Sequence, residues 1–535
     1  MFALTRRQFV AATGVAALVN QSIAVAQADS RPTITIAVQK IANNNTLEIA
    51  HEASNVATRW YNLIKEPMID TDWTGNVLIR PGLAEKWKRI DSRTVELTLR
   101  EGVKFHNGDA LEPEDVAFSF GPDRLFGVPE RQKAGAADPK SLPASLPRAA
   151  RAAYPSLEAI EIVDRRTVRF VNKTPDLTLE GRIAMRVGCI LNRRSFQEAA
   201  SWLDWVRKPI GTGPYKVREF KPDTHLILDA FDEYWDGLPP IKTIRFLEIP
   251  ELASRMNGLA SGEYDFACDI TPDQIAAIEK DSRFDVVGGP ILNQRVVVFD
   301  KSNPVLADAR VRRAFGHALD RKLIVDALWA GRTDAGNGLQ YPFFDKMFIE
   351  DWKLPEFNPD LARQLLKDAS YKGEPISYRV LNNYYTAQVS TAQIMVEMWR
   401  AVGLNVIIEM KENWGQILAK GGGRAIYDNS SSAFFNDPVS YVPGTFGPNG
   451  SYPQAGLWSN EEFYKLIPVL ESSVDPEERR RVYRRMLEIT ERDDPAITVM
   501  HQTANFTAKR RNIAWKPAKS FVMDFRARNF SVRAS

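Results

Sequence analysis

The chain has 535 residues, 44% of them hydrophobic and 26% charged, which can bury a large core and is too long for one compact unit; the length suggests about three domains. The formal net charge is +3, and the 70 basic and 67 acidic side chains almost cancel once Arg6 and Arg7 are set aside. That balance argues against nucleic acid or a membrane surface as partner, since either needs a basic excess on one face.

The chain begins with the layout of an export signal. Thr5-Arg6-Arg7-Gln8 precedes Phe9 and Val10, an apolar stretch runs to Val19, and Ala26-Gln27-Ala28 offers small residues for cleavage. The pair Arg6-Arg7, with Phe9 two residues beyond it, resembles a twin-arginine signal. The apolar core is well short of the roughly 20 residues that span a bilayer. No cysteine follows it for lipid attachment, so the mature chain is expected to start near Asp29, free of the membrane.

Residues 33–38 alternate and are rich in β-formers, so they read as a first strand, as do 94–99. Two further strands lie within 160–171, around Asp164-Arg165-Arg166. The Pro-, Ala- and Gly-rich stretch 121–155 reads as an irregular surface insertion. Strands follow at 224–230 and 243–249, with Tyr234-Trp235-Asp236-Gly237 between them. Asp308 can cap a helix carrying Val311, Ala314, Phe315, Ala318 and Leu319 at helical spacing, with its arginines turned outward. Asn358-Pro359 opens a second helix, and a strand at 376–381 follows. A third helix bears Ile394, Met395, Met398 and Val402 and stops at Gly403, ahead of a strand at 404–410. Asp475-Pro476 with Glu478 resembles a capping box for a fourth helix, on which Arg479–Arg481, Arg484 and Arg485 alternate with acids as a solvated face. Alternating helices and strands indicate an α/β fold. Cys189 and Cys268 sit in apolar surroundings, outside any CxxC pair, and read as small buried thiols.

Several segments carry a family likeness. Pro81-Gly82-Leu83-Ala84-Glu85-Lys86-Trp87, Leu99 to Gly108 (LREGVKFHNG), Glu114 to Ser119, Gly211-Thr212-Gly213-Pro214-Tyr215, Tyr234-Trp235, Asp308 to Arg321 and Asp360 to Leu366 stand in one order along the chain. Together they resemble the large extracellular solute-binding proteins of the peptide/nickel type, family 5. Read physically, Gly82, Gly108, Gly211 and Gly213 are expected where turns need torsions closed to other residues, and Tyr215 and Trp235 as core packing.

The resemblance implies an α/β, two-lobed periplasmic-binding-protein-like II fold with an extra α/β domain on the first lobe. Lobe one is expected at 29–75, 205–290 and 505–535, the extra domain at 76–204 and lobe two at 291–504. It also implies a periplasmic monomer that closes on a small solute (peptide-like, opine-like or sugar-like) and delivers it to ABC permease subunits, with no cofactor and no metal. In peptide-binding relatives an aspartate takes the ligand's α-ammonium. The matching stretch here is Ser431 to Pro438, with Phe434 at that aspartate's position, followed by Phe435, Asn436 and Asp437. A phenyl ring cannot replace a buried carboxylate, so a simple peptide is a doubtful ligand; Asp428 is the nearest upstream acid. Other cleft candidates follow predicted strands: Asn43, Asn44 and Asn45, then Asn382, Asn383, Tyr384 and Tyr385, and Trp414. Rings can stack on a sugar-like or opine-like ligand and amides can pair with it.

An enzyme acting on a small polar substrate in the same cleft is the alternative. No G-x-S-x-G elbow, H-E-x-x-H pair or complete P-loop occurs, and the five histidines are scattered.

Overall fold

The computed structural model describes residues 29–52, 54–382 and 384–533. The expected export signal and Asn383 lie outside the described residues. No helix among the described residues is long and apolar enough to cross a membrane.

A ten-stranded sheet forms the frame. Its order is Val406–Lys411, Ile376–Leu381, Arg424–Ser432, Phe284–Phe299, Ile497–Arg510, Phe266–Cys268, Thr33–Val38, Thr243–Glu248, His225–Ala230 and Tyr215–Lys221. The long strands Phe284–Phe299 and Ile497–Arg510 run antiparallel at its centre, from Phe284 opposite Arg510 to Val298 opposite Ile497. Their register breaks between Pro290 and Gln294 and again between Arg295 and Val296. Such bulges bend and twist a ladder, so the two strands change direction where they pass from one lobe to the other. Each lobe has its own core. One gathers Ile36, Trp60, Tyr215, Phe246 and Phe525; the other gathers Val297, Phe315, Tyr378, Trp399 and Ile426. Of the parallel strands, Thr33–Val38 and Ile376–Leu381 are buried over nearly their whole length.

A separate antiparallel sheet of Ala84–Arg89, Thr94–Leu99, Thr167–Asn172 and Leu157–Asp164 builds the extra domain. Val95, Leu97 and Leu99 are buried and Glu96 and Thr98 less so, the alternation of a one-faced sheet. The helix Pro113–Ser119 covers that face with Val116 and Phe118.

Local signals in the sequence appear where expected. The Asp308 carboxylate accepts the Arg310 N–H and the Asn358 side chain accepts the Leu361 N–H. Gly403, at φ 101°, ends the helix Gln388–Ala401. Cys189 and Cys268 are buried free thiols.

Five expectations need correction. First, residues 121–155 are not an irregular surface insertion. They hold short helices at Pro122–Phe126, Pro129–Ala134 and Ser145–Ala153, and bury Arg124, Leu125, Leu146 and Ala150. Second, the helix Ala309–His317 exposes Arg310 and Arg313 but buries Arg312, which pairs with Asp494 and donates to the carbonyls of Leu306, Ala307 and Pro495. Third, Arg479 is buried against Asp437 at 2.9 Å, while Arg480, Arg484 and Arg485 pair with surface acids. Fourth, Asp475 caps its helix through the Glu477 N–H, and Glu478 accepts from the Ser473 hydroxyl instead of closing a capping box. Fifth, of Gly82, Gly108, Gly211 and Gly213, only Gly108, at φ 90°, needs a left-handed torsion. Gly211 and Gly213 are required by close approach: a Cβ would lie 2.1 Å from the Ile64 carbonyl oxygen and 2.5 Å from that of Leu63.

Arg124 ties its segment to the first lobe. Its guanidinium lies 2.9 Å from Glu48, which also faces the buried Lys65 ammonium at 3.7 Å. Burial alone would raise the Glu48 carboxyl, but Arg124 and Lys65 outweigh it and hold it at about 2 against an ordinary 4.5. A depressed carboxyl stabilises the fold fully above its ordinary value and loses that contribution as pH falls from there toward the folded value. Arg124→Met should therefore cost about 3–5 kcal/mol at neutral pH, because a buried charge loses its partner. Urea denaturation should also show that the variant has lost most of the wild type's drop in stability between pH 4.5 and about 2.

Candidate functional site

Three adjoining cavities lie along the seam between the lobes, and Asn55 lines all of them. The outer one measures about 280 Å³, near the lower end of small-molecule sites at roughly 300 Å³. The two inner ones measure about 20 Å³ each, room for about one water-sized atom. The first-lobe wall comes from short helical turns carrying Asn55, Thr58 and Arg59, with Asp269 just after the strand Phe266–Cys268. The second-lobe wall comes from Leu292 and Asn293 at the bulge, from Tyr384 and Tyr385, and from Ser430 to Phe434. Hydrogen bonds cross the seam: Asn55 Nδ2 donates to Ser430 Oγ at 3.0 Å, Asn43 Nδ2 to the Tyr384 hydroxyl at 3.1 Å, and the Leu292 N–H to the Lys519 carbonyl at 3.0 Å.

Arg186 dominates the electrostatics. Its guanidinium lies 4.8 Å from the centroid of the Phe434 ring. Nη1 donates to the Ser54 carbonyl at 3.1 Å and to Thr58 Oγ1. No ion pair to Arg186 occurs among the described residues, and burial pulls its pKa down. Tyr61, Tyr384 and Glu52 act in the opposite direction without reversing that shift. Burial pushes the Glu52 carboxyl up to about 7, and its oxygens accept the N–H groups of Asn43 and Asn44 and the Ser54 hydroxyl. The cavity wall thus presents a cation without a counter-ion, beside an aromatic face.

At the inner end Arg295 pairs with Asp428 and lies 3.7 Å from the centroid of Tyr385. Asp428 is fully buried in that pair, so it is not free to meet a ligand's ammonium.

The candidates from the sequence separate into three groups. Phe434, Tyr384 and Tyr385 line the cavities, and Asn43 reaches the seam through its bond to Tyr384. Trp414 stands behind them, edge-on to Tyr384 at 5.2 Å. The others serve elsewhere. Asn44 is exposed and donates to the His51 carbonyl, Asn45 adopts φ 56° in the turn, and Asn382 and Asn436 are exposed. Phe435 packs on Gly181, and Asp437 caps the turn at Pro438–Ser440 while pairing with Arg479. Sequence reasoning missed Asn55, Arg59, Arg186, Asp269 and Ser430–Ser432. A lone arginine inside the apolar run Ala184-Met185-Arg186-Val187-Gly188-Cys189-Ile190 was the available signal for one of them.

Comparison with known proteins bears on the family and the fold. The family model described as bacterial extracellular solute-binding proteins, family 5 (middle), matches residues 79–453. The dipeptide-binding protein of Escherichia coli is 26% identical over 492 residues, covering 89% of this chain and 88% of its own. The periplasmic binding protein DppA of Helicobacter pylori, solved with the peptide STSA, superposes with a TM-score of 0.81 at 19% identity, over 94% of this chain and 99% of its own. The binding protein AgaA of A. tumefaciens R10, solved with agropinic acid, superposes with a TM-score of 0.75 at 17% identity, over 94% and 99%. These likenesses establish the two-lobed α/β fold.

Gly181 sits where the extra domain meets the second lobe, and a Cβ there would lie 2.6 Å from the Phe435 ring. Gly181→Ala should hold the lobes apart without unfolding either. Spin labels placed across the cleft should report a longer distance at an unchanged melting temperature; an unchanged distance would contradict this.

Proposed function

The chain belongs to the bacterial extracellular solute-binding proteins of family 5, and on that premise we propose that it captures a small acidic solute between its lobes and delivers it to an ABC permease. The observation that carries this reading is Arg186, a cavity-lining guanidinium without a carboxylate partner, stacked on Phe434. A ligand carboxylate would supply the missing charge through charge-assisted hydrogen bonds. A peptide's free α-ammonium would meet Arg186 and a phenyl ring, and lose hydration without gaining a counter-charge. The ligand class is therefore anionic and without a free amino terminus, of which opine-type conjugates are an example. The likeness to AgaA, solved with agropinic acid, supports that class. Neutral sugars leave Arg186 unmatched.

We assign lobe one to residues 29–75, 205–290 and 505–535, the extra domain to 76–204 and lobe two to 291–504. The register breaks near Pro290 support these crossing points. The leading segment is read as a twin-arginine-type export signal that places the mature chain in the periplasm, where family members act. The solute is bound and released unchanged; the relatives' roles as binding proteins support this.

Calorimetric titration tests the proposal with three probes: an N-(1-carboxyethyl) amino acid, a dipeptide with a free amino terminus and a neutral disaccharide. The acidic probe should bind, and Arg186→Met should weaken it about 10- to 100-fold, the worth of hydrogen bonds to a charged group. Phe434→Asp should not create a dipeptide binder, because the new carboxylate would pair with Arg186; it should simply abolish capture of the acidic probe. Tight dipeptide binding that survives Arg186→Met would overturn the proposal.

A further inference from the structure

The cavity has a second polar pole, formed by Arg59 and Asp269. The two are joined by one hydrogen bond, from Arg59 Nη2 to Asp269 Oδ1, in place of the two-pronged contact that arginine and carboxylate favour. Arg59 Nη1 and Asp269 Oδ2 are both buried and make no hydrogen bond among the described residues. Arg59 is 3% exposed, and both residues line the inner cavity of about 20 Å³ with Tyr384 and Tyr385. Asp269 also holds a left-handed backbone at φ 59°, a conformation that recurs at ligand sites when the surroundings fix it. Arg255, which acts electrostatically on Asp269 from nearby, spends its guanidinium on the carbonyls of Ile249, Pro250 and Cys268 and leaves the orphan oxygen unmatched.

A buried donor and a buried acceptor left open side by side are costly unless a ligand meets both. A carboxylate satisfies the donor and repels the acceptor; an ammonium does the reverse. A carboxamide does both, since its carbonyl can accept from Arg59 Nη1 while its N–H donates to Asp269 Oδ2. The inner cavity, about 20 Å³, admits roughly one water-sized atom, enough for the tip of such a group to reach the pair. We propose that Arg59 and Asp269 form a subsite for a neutral carboxamide-type group of the solute, in an inner cavity that adjoins those lined by Arg186. This rests on the reading of Arg186 as the anion anchor, and makes the solute an acid that also carries an amide, lactam or ureido function.

Monoamides of the linear dicarboxylic acids, from succinate to suberate, each titrated against its parent diacid, test the subsite across a range of spans. At the best-fitting length the monoamide should bind at least about tenfold tighter than the diacid, since a site built for a hydrogen bond rejects the analogue that lacks it. Asp269→Asn should reverse that preference by offering the diacid a donor. Arg59→Lys, which keeps the charge and removes the second prong, should narrow it, and guards against one variant failing to fold. Equal affinities in the wild type, an unchanged ratio in both variants, or binding of neither series at millimolar concentration would overturn the proposal. Arg186→Met separates the two readings: loss of both members of a pair supports the anion anchor, while unchanged affinity with the Asp269→Asn reversal intact would remove the anchor and leave the subsite standing.

Discussion

Half-shielding a guanidinium from water without a carboxylate costs free energy that a bound anion can return. Elsewhere this protein avoids that cost. Arg124 meets Glu48, Arg295 meets Asp428, Arg424 meets Asp300 and Arg526 meets Asp524. Arg321 has no acid partner but spends its donors on the carbonyls of Val499, Gly316 and Pro355 and on the Thr498 hydroxyl. Arg186, half-buried at the cavity wall, departs from this pattern: Nη1 alone is hydrogen-bonded among the described residues, and the aromatic ring beside it offers only a weak cation–π contact in place of a charge.

The position of that cation follows from the fold. The central strands Phe284–Phe299 and Ile497–Arg510 carry the chain between lobes, and their broken register sets Leu292 and Asn293 against the first-lobe turns. Arg186 comes from the extra domain, Asn55 and Thr58 from the first lobe, and Phe434 from the second. All three bodies therefore meet at the cavity. A solute bridging Arg186 to the Ser430–Phe434 wall touches groups that separate when the lobes part, so binding energy and closure are coupled.

Much of the frame was legible because its signals are local. The strands at 33–38, 94–99 and 376–381 announce themselves by composition and alternation, and the caps at Asp308 and Asn358 by a side chain three or fewer residues from the N–H it accepts. The misread features depend on distant partners. Arg312 looks exposed on a helical wheel until Asp494 is supplied from far along the chain, and Arg479 until Asp437 is. The site was legible in one respect, the placing of Phe434 at the cavity. Its consequence was not, because Arg186 lies well over two hundred residues upstream and reaches Phe434 only in the folded chain. The runs of asparagine after strands misled for a physical reason: Asn44 and Asn45 shape a turn around Glu52, a task that short amides perform as readily as ligand binding.

The central claim is that the solute is an acid held by Arg186 and lacks a free α-ammonium. Mass spectrometry of the small molecule released from the protein, after isolation from the periplasm of its own host under native conditions, tests it most directly. The account predicts a single class of species bearing at least one carboxylate and no primary α-amine at a peptide terminus. Recovery of ordinary di- or tripeptides with free amino termini, retained by both the wild type and an Arg186→Met variant, would contradict it.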